Sequence, residues 1–390
     1  MTLVYSHPRN AGEAVTHAFI VGVSEYQFLP GPGLPPTDRS MGLKKLESPA
    51  LSAWELACWL AGNGDTLVAP LGSIRLLMST SPTEAPLLRP APDVEGWIGG
   101  APDAATIANF QAEAHAWRQD ASSNPDDICI FYFGGHGLRQ FGATLLLFED
   151  FGQALGPVLG PTCRFPNVMD GMAPDSAIRP DIARTQFYFV DCCSQNLGDF
   201  TGLGSQPTNI WDATNGVDNR ATPAFMASYP GAVALNQAGR RTDFMDGLLS
   251  ALESAAEEDD PDTGQWPVRS MTIHNSLERH FKELGTGQYA PATGLNFADV
   301  KLRWLPQPPR TRFQLVVRPN QKVASTSIDL ERVEGGFRGR FPDPGGGVPH
   351  PYAVEAQAGI FKLKATEGGA ENEKMRMINQ RLRVWPVDMS

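Results

Sequence analysis

With 390 residues, 42% of them hydrophobic, the chain can bury a sizeable core, enough for one large domain and a smaller one. A formal net charge of -11 and a pI near 5.2 exclude a nucleic-acid or anionic-membrane surface as the default partner. No apolar run approaches membrane-spanning length and no N-terminal stretch reads as a secretory signal, so a cytoplasmic protein without a membrane segment is expected. The five cysteines are an odd number, mostly in or beside apolar runs, which fits reduced thiols better than a disulfide framework; no pair of CxxC motifs marks structural zinc.

Residues up to about 17 lack periodicity and read as a loose arm. Residues 18–24 (AFIVGVS) form a buried-strand candidate, followed by a loop rich in Pro and Gly at 29–36. Ser48-Pro49 supplies an N-cap and a first-turn proline for a helix through Leu51, Trp54, Leu56 and Trp59, ended by Gly62-Asn63-Gly64. Residues 74–78 read as a second strand. Residues 103–119 form a helix with Ile107, Phe110, Ala114 and Trp117 on one face, and residues 127–133 form a third strand, giving the order βαβαβ.

A strand at 144–148 leads to Glu149-Asp150. Residues 151–180, rich in Gly and Pro, are expected to be a long surface loop. A strand at 186–190 follows, then one around 232–235, a helix at 244–255, an acidic loop at 257–262 read as a solvated turn, and a helix at 271–284. The composition shifts at Pro306-Gln307-Pro308-Pro309, taken as a linker. Short strands between turn signals from there to the end predict a small β-sandwich. The expected division is a domain over 1–305 and an accessory sandwich over 310–390.

Two of the strands end in chemistry. Residues 127–133 (DICIFYF) run into Gly134-Gly135-His136-Gly137, and residues 186–190 (QFYFV) run into Asp191-Cys192-Cys193. Runs of apolar residues without polar alternation suggest strands covered on both faces, and reactive groups in such sheets gather at the strands' carboxyl ends. A thiol next to an imidazole is the equipment of acyl transfer through a thioester. The glycines around His136 allow a sharp turn and close substrate approach. Backbone N–H groups at Gly137 and Cys193 are candidates to stabilise a tetrahedral oxyanion.

Strand-Gly-His-Gly followed by strand-Asp-x-Cys-Ser resembles the caspase-like cysteine peptidases, in particular their bacterial, metacaspase and CHAT-type branches. The histidine precedes the cysteine by roughly 50 to 60 residues, close to the caspase spacing. The resemblance also takes in the first strand and helix, Glu149-Asp150, and Thr242-Asp243-Phe244-Met245-Asp246-Gly247-Leu248-Leu249, which is similar to the family's final helix. It spans about residues 15–285 and leaves the sandwich outside.

The resemblance implies a three-layer α/β sheet sandwiched by helices and a cysteine endopeptidase acting on protein substrates. Its Asp-x-Cys pattern makes Cys193 the nucleophile, with Cys192 the alternative, and His136 the general base and acid. On strand alternation the two thiols point to opposite faces. Asp191 would line the pocket for the residue before the cut and select Arg or Lys, with Asp150 a second candidate acid; a strand-end acid bonded to nearby amides is the alternative for Asp191. Where metacaspases carry an Asn-Asp pair on the first helix, this chain has Leu51-Ser52. Arg240 and Arg241 are candidates for an aspartate-binding pocket of the caspase kind, or plain surface residues. Arg164, Arg179, Arg184 and Arg220 are candidate self-processing sites. No cofactor or bound metal is expected, although relatives of this kind include calcium-activated ones, and an activating protein partner could act through the sandwich. The resemblance further suggests a role in regulated cell death or defence. The competing reading is a non-catalytic caspase-like scaffold.

Overall fold

The computed structural model describes residues 2–8, 10, 12–37, 39–193, 195–196, 205–212, 217–228, 239–285, 288–294, 299–342, 350–379 and 384–389. The strand expected around 232–235 lies outside them. The chain divides into two compact units, Met1–Leu249 with Ile273–Val300, and Ser250–Thr272 with Lys301–Ser390. The linker expected at 306–309 falls inside the second unit.

In chain order the first unit begins with β1 (Leu3–Ser6), β2 (Thr16–Val23), α1 (Pro49–Asn63), β3 (Leu71–Ser79), α2 (Ile107–Asp120) and β4 (Ile128–Gly135). It continues with β5 (Gly137–Gln140), β6 (Ala143–Leu147), β7 (Thr162–Arg164), α3 (Phe165–Gly171), β8 (Thr185–Cys192), β9 (Gln195–Asn196) and β10 (Ala224–Met226). Then come α4 (Asp243–Ser254), β11 (Trp266–Arg269), α5 (Ser270–Leu284), β12 (Ala292–Thr293) and β13 (Lys301–Leu305); β11 and β13 pair within the second unit. One seven-stranded sheet organises the first unit, in the order β1-β3-β2-β4-β8-β10-β12. Its five central strands are parallel and both edges antiparallel.

The two helices of the βαβαβ run lie on opposite faces, as strand alternation shows. Phe19 on β2 packs against Phe110 and Trp117 of α2, at ring separations of 5.3 and 5.8 Å. Three residues on, at the opposite parity, Gly22 meets α1 so closely that a Cβ would come within 2.5 Å of Ala53 Cβ. β2 and β4 have every residue buried, which is why both read as unbroken apolar runs. Thr106 caps α2 by accepting a hydrogen bond from Asn109 N–H, and Phe110, Ala114 and Trp117 carry its buried face as their spacing predicts.

Two expectations are corrected. The N-terminal arm is not loose: Leu3 to Ser6 pair with β3, and Val4 and Tyr5 are buried. Three apolar residues are too short a run for periodicity to reveal. Residues 151–180 are not a surface loop either. They contain β7 and α3, and Phe151, Leu159, Phe165, Val168 and Met172 are buried in the same core as Phe131 and Tyr188. Their Gly and Pro content hid a packed excursion, because the apolar anchors are spaced without helix or strand period.

The second unit ends in two sheets, built from β14 (Arg310–Arg318), β15 (Thr326–Arg332), β16 (Arg338–Phe341), β17 (Tyr352–Gln357), β18 (Gly359–Glu367), β19 (Ala370–Ile378) and β20 (Val384–Asp388). Their orders are β17-β14-β20 and β16-β15-β18-β19. Along β14 buried Phe313, Leu315 and Val317 alternate with solvent-facing residues, and they share one core with Ile328, Leu330, Phe361 and Leu363. This is the C-terminal β domain that the alternation predicts.

Candidate active site

β4 and β8 are adjacent, parallel and in register, with Gly134 opposite Asp191 and Gly135 opposite Cys192. One residue further along each strand stand His136 and Cys193. The register therefore brings the histidine and the thiol to the same sheet edge, at neighbouring carboxyl ends.

Cys192 is 2% exposed and belongs to the aromatic core, and burial holds its thiol well above the usual range. Cys193 is only partly buried. The chain crosses very close here: a Cβ on Gly137 would lie 2.2 Å from the Cys193 carbonyl oxygen and 2.5 Å from Cys192 Sγ. None of Gly134, Gly135 and Gly137 has a left-handed φ. These glycines serve close approach by protein groups and not a sharp turn, which corrects one part of the sequence reading.

His136 is buried, and its Nε2 lies 2.6 Å from the Lys44 carbonyl oxygen. A carbonyl only accepts, so Nε2 carries the proton and Nδ1 is left with a free lone pair. Burial lowers the imidazole pKa to about 4, against the opposing effect of the Lys44 carbonyl, so the ring is neutral at pH 7. The His136 main-chain N–H donates to Tyr26 Oη at 2.7 Å, and the two rings lie 4.9 Å apart. Leu147 N–H donates to His136 C=O, which makes Gly137 and Leu146 the next, non-hydrogen-bonded pair of the β5/β6 ladder. The Gly137 N–H consequently points away from β6.

Asp191 is 3% exposed. The Tyr132 hydroxyl donates to its Oδ2 at 2.9 Å and the Thr242 hydroxyl donates to the same oxygen; Oδ1 receives no hydrogen bond among the described residues. Thr242 N–H in turn donates to Ser52 Oγ at 3.0 Å. Burial raises the Asp191 pKa to about 6, opposed by its two hydroxyl donors and reinforced by Asp243. No cation pairs with this carboxylate among the described residues. Ser52, the departure from the metacaspase pattern, thus stands in the same network as the acid beside the cysteine.

Asp150 is placed elsewhere. Its Oδ1 accepts the Ile107 N–H at the start of α2, at 3.1 Å, and burial raises its pKa. Arg240 and Arg241 are partly exposed and paired with Asp246. Arg220, a candidate self-processing site, is not offered to a protease: its side chain is 4% exposed and its guanidinium is bonded to Asp218, Gln186 and the Met169 carbonyl. In the acidic loop Asp260 pairs with Lys301 and Arg269.

Sequence reasoning did not single out Tyr26, the Lys44 carbonyl, Tyr132 or Thr242. Lys44 acts through its main chain and leaves no side-chain signature. Tyr132 was visible only as one more aromatic in a strand, and Thr242 only as part of a segment similar to the family's last helix.

With this geometry described, the family comparison decides the identity of the fold. Residues 101–288 match the family model of the caspase domain. This is a caspase-like cysteine-peptidase fold. The chain is 25% identical over 189 residues to an uncharacterized protein, y4kE, of Sinorhizobium fredii (strain NBRC 101917 / NGR234), a match covering 46% of this chain and 50% of the relative. The chain spans about half the length of that curated relative. Among solved structures it is similar to the crystal structure of caspase-1 from Spodoptera frugiperda, with 12% identity over 71% of this chain and 84% of that one, at a TM-score of 0.39. No helix among the described residues is long and apolar enough to cross a membrane.

Proposed function

We propose that the caspase-like domain is a cysteine endopeptidase in which Cys193 is the nucleophile and His136 the general base and acid. The observation that carries this reading is the in-register placement of the two residues at adjacent strand ends, with Nε2 committed to Lys44 and Nδ1 without a hydrogen bond among the described residues. As Cys193 Sγ attacks the scissile carbonyl carbon, its proton passes to Nδ1. The tetrahedral oxyanion is held by the N–H groups of Gly137 and Cys193, each worth about 3 to 4 kcal/mol where such donors have been removed. The carbon–nitrogen bond then breaks, and the amine departs with the proton from Nδ1. Water attacks the thioester, giving its proton to Nδ1, and the acid product leaves as the thiol re-forms.

The preference for Arg or Lys before the cut rests on Asp191. A buried carboxylate with both donors on one oxygen and no cationic partner has an uncompensated charge, which a substrate cation would neutralise. Resemblance to bacterial relatives is what suggests regulated cell death or defence as the setting.

The test is hydrolysis of fluorogenic peptides with Arg, Lys, Asp or Leu before the scissile bond, with and without calcium. The expected result is cleavage after Arg or Lys that disappears in Cys193→Ala and in His136→Ala. Asp191→Asn should lose the basic preference while keeping the thiol chemistry. Cleavage after Asp would overturn the pocket assignment, and cleavage by Cys193→Ala would overturn the nucleophile.

A further inference from the structure

We propose that Tyr26 is the positioning residue of the His136 base, an inference that rests on reading His136 and Cys193 as a peptidase pair. Tyr26 follows the end of β2 and is fully buried. Its hydroxyl occupies a place in the β-ladder that a main-chain bond would normally fill. Leu147 N–H donates to His136 C=O at 3.2 Å, and in an antiparallel pair the reciprocal bond runs from His136 N–H to Leu147 C=O. Here that bond is replaced by a relay: His136 N–H donates to Tyr26 Oη at 2.7 Å, and Tyr26 O–H donates to Leu147 C=O at 3.3 Å. One inserted oxygen spaces the histidine's backbone from β6 and satisfies both orphaned groups.

Three other contacts converge on the same residue. The phenol ring packs on the imidazole, with centroids 4.9 Å apart and planes inclined at 45°. Gly135 admits the hydroxyl, since a Cβ there would come within 2.9 Å of it. The loop that starts at Tyr26 returns to place the Lys44 carbonyl on Nε2, held on the way by Leu29 N–H to Tyr26 C=O at 3.2 Å and Lys45 N–H to Pro30 C=O at 3.0 Å. Tyr26 therefore fixes the main chain and one face of the base, and anchors the loop that fixes its tautomer. Phenylalanine would keep the buried ring and lose both hydrogen bonds, leaving a main-chain donor and acceptor unpaired.

The experiment compares wild type, Tyr26→Phe, Gly135→Ala and His136→Ala. The rate of Cys193 alkylation by iodoacetamide is followed by peptide mass spectrometry from pH 5 to 9, alongside kcat and KM on an Arg peptide and the thermal midpoint. Tyr26→Phe is expected to unfold cooperatively, keep its KM, lose roughly tenfold or more in kcat, and show an alkylation pH profile moved toward that of His136→Ala. A role confined to packing would lower the thermal midpoint and leave that profile unmoved. Gly135→Ala keeps the phenol but crowds its hydroxyl, should move the profile the same way, and decides alone if Tyr26→Phe does not fold. A wild-type profile and kcat in Tyr26→Phe, with both altered in His136→Ala, would overturn the proposal. A wild-type profile in His136→Ala would instead overturn the base assignment itself, and Tyr26's part with it.

Discussion

His136 can accept a proton from a thiol only if it enters the reaction neutral and presents the correct nitrogen, and the fold arranges both. Burial lowers its pKa to about 4 and the Lys44 carbonyl claims Nε2. The same shift has a consequence for stability. The folded pKa lies below the unfolded value of about 6.5, so between those two pH values the unfolded chain binds more protons than the folded one. The stabilisation is present above pH 6.5 and is lost as the pH falls through 4, by up to roughly 3 kcal/mol. Asp191 works in the opposite sense. Its pKa is raised to about 6, so its contribution is present below its unfolded value and is lost as the pH rises through 6. His136→Gln removes the histidine's contribution alone. Acidification from pH 7 to 4.5 should therefore lower the urea midpoint less in His136→Gln than in wild type, or raise it, because Asp191 then acts alone; an unchanged signed difference would show that His136 is not the buried neutral group described here.

The element that delivers the site is a pair of neighbouring strands, and these were plain in the sequence. Apolar runs over 127–133 and 186–190 that stop abruptly at Gly-Gly-His and Asp-Cys-Cys read as buried strands, and both residues predicted to react stand at their ends. The helix periods of α1 and α2 were equally legible. What surrounds the pair was not, because it is made by main-chain atoms and by hydroxyls that meet only in three dimensions: Lys44 lies 92 residues from His136, and Thr242 51 residues from Asp191. The packed excursion at 151–180 escaped for a different reason, since Gly and Pro there separate core anchors instead of exposing them. The hairpin that follows His136 carries its own strain. Gln140 pairs with Ala143 across Phe141 and Gly142, both with positive φ (48° and 84°), a type I′ turn in which Asn-Gly is the favoured pair. Phe141 is 85% exposed, so its conformation is not compensated by burial. Phe141→Asn should raise the unfolding free energy by about 1 kcal/mol in a denaturant titration; an unchanged or lower midpoint would show that the aromatic ring offsets its backbone cost.

At the scale of the whole molecule, the chain joins an α/β sheet whose reactive edge is set by strand register to a C-terminal β domain whose core follows simple alternation. Asp191 has no neutralising cation among the described residues, and this is the feature on which substrate choice is proposed to depend. The central claim, that Cys193 is a nucleophile activated by His136, is tested most directly by covalent capture. The protein is incubated with an acyloxymethyl ketone peptide bearing Arg at the position before the warhead, and the adduct is mapped by mass spectrometry. The account predicts one adduct, on Cys193, absent in Cys193→Ala and strongly slowed in His136→Ala. An adduct on Cys192, or one that forms equally fast without His136, would contradict it.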